Sequence, residues 1–96
     1  MKPFRWDPTK SEQLRERHGV GFEQVVVAIE SGNVLGTMPH PNVTRYPRQR
    51  IVVVKIDNYA FLVPFVEDEI HVFLKTIIPS RKATRDFIER GTDHEA

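Results

Sequence analysis

The chain has no cysteine, so neither a disulfide nor a thiolate metal site can hold it together. Its four histidines are scattered, without paired ligand spacing, which argues against a structural zinc. No apolar run approaches the ~20 residues of a membrane span. No signal-peptide pattern opens the chain, so a cytoplasmic protein is the expectation. Gly-rich phosphate loops, a Ser or Cys nucleophile elbow and an HExxH helix are all missing, and no metal or cofactor is expected. There are no repeats and no low-complexity segments. What remains is 96 residues, 40% hydrophobic and 28% charged, enough for one domain with one core. We expect that domain over residues 1–91, followed by a frayed tail over 92–96.

Carboxylates are also missing locally. The net charge is only +1, yet residues 31–56 carry Arg45, Arg48, Arg50 and Lys55 with no acid among them. Residues 70–85 repeat this with Lys75, Arg81, Lys82 and Arg85, while acids gather at Glu67-Asp68-Glu69 and after residue 85. Local basicity of this kind suits a polyanion, because phosphate contacts supply most nonspecific affinity.

Helix signals open the chain. In "FRWDPTKSEQLRERHG" a short apolar piece precedes a helix capped either by Asp7 with Pro8 at its first position, or by Thr9 with Glu12. Gly19 ends it, and Leu14 and His18 share its one apolar face. In "GFEQVVVAIESGN", Phe22, Val25, Val26 and Ile29 fall at i, i+3, i+4 and i+7, the clearest helical stripe in the chain, with Gly32 as its stop. "MPHPNVTRYPRQR" reads as the longest loop, and "VLGTM" offers a short strand before it. Three strands follow in "RIVVVKI", "YAFLVPFVE" and "HVFLKTII". They are joined by a two-residue turn at Asp57-Asn58 and a tight connection at Glu67-Asp68-Glu69. Pro64 cannot donate to a ladder, so a bulge or free edge is expected there. A last helix over about 81–90 turns Ala83, Phe87 and Ile88 to the sheet. The order predicts an α+β domain of two layers, with two N-terminal helices and a C-terminal helix packed on an antiparallel meander.

Strand alternation puts His71, Phe73, Lys75 and Ile77 on one side of the last strand, and Ile70, Val72, Leu74, Thr76 and Ile78 on the core side. The first set is aromatic and basic, a layout used for single-stranded nucleic acid. Bland readings stand beside it. Lys75 snorkels its stem over the sheet, Trp6 anchors the core, Phe61 and Phe65 are core, His71 is a solvated polar residue before it is a base, and His18 packs against or caps the end of its helix.

"PSRKAT" poses a sharper question, because Ser80 is a good N-cap and the turn it opens carries Arg81 and Lys82. Cations at a helix N-terminus are unfavourable by roughly 0.3–1 kcal/mol, whereas an anion held there would reverse the sign. RNA cleavage needs little more. Holding the backbone in line lets a ribose 2′-OH attack its own phosphate while cations stabilise the charge on the phosphoryl oxygens. Arg81, Lys75 and Arg50 are the candidate catalytic cations and His71 the candidate base. Lys82, Arg85, Lys55, Arg48 and Lys10 are candidate RNA contacts.

"WDPTK", then "HGVGFE", a strand opening at Arg50, and "IIPSRKAT" before the last helix resemble BrnT-type toxins, within the wider RelE/ParE-like superfamily. The similarity runs over residues 4–87, and Trp6, Asp7, Lys10, His18, Gly19, Phe22, Arg50, Arg81 and Ala83 match the family pattern. Pro79-Ser80 departs from a usual Ser-Ala pair, and Lys55 stands where glycine is common. The resemblance implies a compact α+β fold, ribonuclease activity against RNA, and a cognate antitoxin, small and often DNA-binding, that blocks the toxin. A gyrase-inhibiting toxin of the ParE kind and a non-catalytic nucleic-acid-binding module remain the alternatives.

Overall fold

A computed structural model describes residues 2–90 of the chain; the tail expected over 92–96 lies outside the described residues. Nine elements and a helical extension follow one another: β1 (Phe4–Arg5), α1 (Pro8–His18), α2 (Phe22–Glu30), β2 (Val34–Pro39), β3 (Gln49–Ile56), β4 (Tyr59–Glu67), β5 (Val72–Leu74), β6 (Ile78–Pro79) and α3 (Arg81–Ala83), which continues as a π-helix over Thr84–Glu89. The fold is α+β. The strands form one mixed sheet in the order β1-β5-β4-β3-β2, with β6 paired to β4. Only the β1–β5 pair is parallel among these strands; the others are antiparallel.

The first helix chooses between its two possible caps. Asp7 is the N-cap, its carboxylate accepting from the Thr9 and Lys10 amides at 2.9 and 3.4 Å, with Pro8 in the first turn. Gly19 ends the helix at φ 77°, a left-handed conformation that favours glycine. The chain then re-enters α2 at once, and α1 supplies part of the cap. Ser11 Oγ, on a residue only 2% exposed, accepts from the Phe22 amide at 2.9 Å and donates to Glu23 Oε1 at 2.7 Å. This close approach requires Gly21, since a Cβ there would stand 2.9 Å from Ser11 Oγ. Val25, Val26 and Val27 each lower helix propensity by up to ~0.7 kcal/mol against alanine. Burial of Phe22 and Val25 contributes ~1.5–3 kcal/mol each, and both are fully enclosed. Packing therefore wins over propensity.

β3 and β4 pair without a break from Gln49↔Val66 to Ile56↔Tyr59. The connection is the two-residue turn expected, with Asp57 and Asn58 at φ 52° and 62°, the left-handed pair of a type I′ hairpin. Alternation along this hairpin separates two cores. Val52, Val54, Phe61 and Val63 join Leu14, Phe22 and Val25 beneath α1 and α2. Val53, Ala60 and Leu62 instead meet Ala83 and Ile88 of the C-terminal helix. The sheet thus carries helices on both faces, and the two-layer packing expected is corrected to three. The reason is that β3 is a run of β-branched residues buried on both sides, "IVVV".

Pro64 leaves its mark on the next strand. Lys75 donates its amide to the Pro64 carbonyl at 2.8 Å, but proline has no amide to return. Phe65 pairs with Leu74 while Leu62 pairs with Ile78, so one extra residue bulges out between them. The single strand expected over 71–78 is therefore split into β5 and β6, and the facing inverts across the break. Val72, Leu74 and Phe73 point as alternation predicts, but Ile77 is buried at 1% and Ile78 is 45% exposed, opposite to expectation. The C-terminal helix deviates similarly. Bonding of the Arg90 amide to Arg85 O widens the turn. Ala83 and Ile88 still face the sheet, while Phe87 lies at its margin over Gly36.

Replacing Ser11 by alanine should cost about 1–2 kcal/mol in urea denaturation, because a cap is lost and a buried amide left unpaired. The hydrogen bond from Ser11 holds the Glu23 carboxyl below its ordinary 4.5, reinforced by a backbone bond. The stability it contributes is full above pH 4.5 and disappears as pH falls through the lowered folded value. Ser11→Ala should accordingly show a shallower acid-side loss than wild type; an unchanged slope would mean the bond contributes nothing.

Candidate nucleic-acid interface

The register of β4 serves as a ruler for the candidate residues. At one end, Ala60 pairs with Lys55 and its carbonyl accepts from the Ser80 amide at 3.0 Å. Lys55, Ser80 and hence Arg81 belong to this end. Ser80 caps the helix as expected, its hydroxyl accepting from the Ala83 amide at 3.0 Å. Thr84 adds a second tie. Its Oγ1 accepts from the Ala60 amide at 2.8 Å and donates to Ser80 O at 2.8 Å, clamping the helix start to the sheet. Arg81 and Lys82 are exposed and have no ion-pair partner among the described residues. Lys82, Ser80 and Ala83 line a groove of about 190 Å³ with Met38, Leu62, Asp86 and Phe87. Arg85 is drawn instead toward Asp86 at 3.6 Å, a carboxylate that Arg90 also approaches at 3.8 Å.

The other candidates fall elsewhere. Lys75 lies beside Pro64, and its ammonium stands 5.4 Å from the centre of the Phe73 ring, worth about 0.5–1 kcal/mol at an exposed site. Phe73 faces away from Leu74 and so lies on the sheet face that carries the C-terminal helix. Arg50 pairs with Phe65 and alternates with Val52 and Val54, which puts it on the opposite face, where it is exposed near the start of β3. His71 sits in the β4–β5 turn, where its amide and that of Ile70 donate to the Asp68 carboxylate; these bonds hold the Asp68 carboxyl below its ordinary value. Between the His71 turn and Arg81 lies β4 from Glu67 to Ala60, roughly 23 Å at ~3.3 Å per residue. Arg81, Lys75, Arg50 and His71 therefore do not form one constellation. Arg81 and Lys82 share the helix start, Lys55 lies at the same end of the sheet but across β4, where it lines a groove with Gln24 and Ala28 of α2, Lys75 stands apart, and Arg50 and His71 are remote from them. Lys10 lies in the first turn of α1 and Arg48 in the loop before β3, neither at the start of α3.

Two residues with a part in this surface escaped the sequence reading. Thr84 was one residue past an obvious cap, and its fourth-residue spacing from Ser80 is the only signal it gives. Arg5 was read as part of an apolar piece, yet it is exposed in β1 and pairs in register with Phe73. Trp6, by contrast, packs against the core 6.1 Å from Phe22, as the anchor reading holds. Among the described residues no group of side chains is arranged to hold a metal ion, and no helix is long and apolar enough to cross a membrane.

No family model, curated protein or solved structure matches the chain.

Thr84→Val should destabilise the fold by about 1–3 kcal/mol, the cost of leaving the buried Ala60 amide without an acceptor. Ser80→Ala should cost less, about 0.5–2 kcal/mol, because the lost cap is part-exposed. Denaturant midpoints for the two variants check the order, and a neutral Thr84→Val would remove the clamp from the argument.

Proposed function

We propose that the chain is the toxin component of a bacterial type II toxin–antitoxin pair, acting in the cytoplasm as a ribonuclease that cleaves RNA by 2′-OH attack and inhibits translation. One observation carries the reading: Arg81 and Lys82 stand without acidic partners among the described residues at a turn fixed twice over, by Ser80 and by Thr84, at the end of the sheet that carries Lys55. Two cations at a helix start are unfavourable in isolation, and a phosphate would make them favourable. The resemblance of "WDPTK", "HGVGFE" and "IIPSRKAT" to BrnT-type toxins points the same way.

In this mechanism Arg81 binds the scissile phosphate as a bidentate fork and stabilises the charge that builds on its oxygens. Lys82 and Lys55 hold the neighbouring backbone in line for the attacking hydroxyl. His71 is too far along the sheet to act as base at Arg81, so proton removal is left to solvent or to the substrate. The cognate antitoxin, a small protein that covers the cationic surface, would associate at a rate that falls as salt rises.

Arg81→Ala should slow cleavage by about 10²–10³-fold, the effect of losing one donor to a developing oxyanion, while leaving the melting temperature near that of wild type. Arg81→Lys should recover only part of the activity, because an ammonium cannot reproduce the fork. Growth arrest and RNA fragmentation on induction in bacteria provide the readout, with exposed Arg17→Ala as the control. A stable and fully toxic Arg81→Ala protein would refute the assignment. Arrest with intact RNA and altered DNA supercoiling would favour the gyrase-directed alternative.

A further inference from the structure

The C-terminal helix covers only part of its face of the sheet. Its contacts are with Val53, Ala60, Leu62, Leu35 and Met38, reaching from the Asp57-Asn58 end as far as the row of Met38, Ile51 and Pro64. Farther along the strands the same face lies open, and the register lines up one row across it. Arg5 on β1 pairs with Phe73 on β5, Phe73 with Val66 on β4, and Val66 with Gln49 on β3. The Gln49 carbonyl then accepts from the His40 amide at 3.2 Å, which carries the row to the loop after β2. There the His40 ring lies 4.6 Å from that of Tyr46, and the Arg45 guanidinium stands 5.6 Å from the Tyr46 ring.

Each end of this row therefore holds an exposed ring beside a cation. Phe73 is 41% exposed and Tyr46 39%, and the strands between them set Phe73 and His40 roughly 14 Å apart at ~4.8 Å per strand. A large apolar ring left open in the middle of a sheet face is unusual, and its neighbours narrow what covers it. Arg5 and Lys75 flank Phe73 with no ion-pair partner among the described residues. The row contains no carboxylate. Glu67 belongs to the other face, where Lys2 binds it at 2.7 Å. In the adjoining turn the Asp68 carboxylate is occupied by the Ile70 and His71 amides, and Glu69 is exposed.

We propose that this open face is a platform for single-stranded RNA, which runs across the strands with one base stacked on Phe73 and another at Tyr46. Lys75 and Arg5 take the phosphates on either side of the first base. The Lys75 ammonium covers the Phe73 ring in the free protein, and a base displaces it readily, since stacking is the stronger contact. The freed ammonium then meets a phosphate. Duplex RNA is excluded because its bases are already stacked on one another and cannot reach the rings. The proposal rests on the nucleic-acid part of the function argued above, and not on cleavage at Arg81.

The test is fluorescence-anisotropy binding of labelled hexanucleotides to the full chain. A 2′-O-methyl backbone, which has no attacking hydroxyl, separates binding from cleavage. The single strand should bind more tightly than the matching duplex. Phe73→Ala should weaken it roughly 5- to 150-fold, the equivalent of ~1–3 kcal/mol at 1.4 kcal/mol per tenfold, and Phe73→Trp should restore it. Arg5→Ala should lower the salt slope by about one phosphate. All three variants should melt as wild type does, because both positions are exposed.

Equal binding of single strand and duplex, or tight binding by Phe73→Ala, would overturn the platform while leaving RNA recognition intact. Self-association lost in Phe73→Ala with oligonucleotide affinity unchanged would assign the face to protein contacts instead, and overturn it as well. A wild-type chain that binds no oligonucleotide would sink this proposal and the ribonuclease reading together.

Discussion

The unbroken pairing of β3 with β4 is the constraint on which everything else hangs. With Ile56 opposite Tyr59 across the Asp57-Asn58 turn, every side chain of the hairpin has its face assigned, and a slip of one residue would exchange the two cores. Val52 and Val54 can then lie only under α1 and α2, and Val53 only under the C-terminal helix. The hairpin also decides which cations can meet. Lys55 is delivered to the end where the Ser80 amide binds Ala60, whereas Arg50, five positions earlier, falls on the opposite face near Phe65.

Pro64 is the second determinant, and it acts by what it cannot do. It sits in an interior strand, where the missing amide must be accommodated. The extra residue between Leu74 and Ile78 does this. The bulge turns Ile77 into the core and lets Ile78-Pro79 rejoin β4 beside Phe61 and Leu62. Without that shift the chain would leave the sheet with the opposite side chain facing inward. Arg81 and Lys82 owe their position to this break and to the Thr84 clamp that follows it.

Charge and packing meet on the sheet face that the C-terminal helix leaves open. The helix is short, and its widened second half carries Phe87 to the sheet margin over Gly36. Phe73 consequently stays exposed between Arg5 and Lys75. A longer or more regular helix would compete for that surface. The proposed cleavage site and the proposed RNA platform thus lie toward opposite ends of the sheet, the helix start at the Asp57-Asn58 turn and Phe73 at the open end.

Local chemistry was legible in the sequence. Asp7-Pro8, Gly19, the stripe from Phe22 to Ile29, Asp57-Asn58 and Ser80 each act within a few residues of themselves, so the elements and their caps follow from spacing and turn chemistry. The consequence of Pro64 was half legible: a bulge was required, but not which strand would absorb it. The two-sided burial of "IVVV" was consistent with a buried strand of either architecture, and only the helices packed on both faces decided for three layers. The candidate site was least legible. Lys75, Arg50, His71 and Arg81 all carry the right chemistry, and composition cannot separate them. Their distances depend on pairings between residues far apart in the chain, and above all on which partner each takes along β4. Strand register is a tertiary property, set by the simultaneous fit of two cores, and it alone placed Arg81 at the Lys55 end of the sheet and Phe73 beside Arg5.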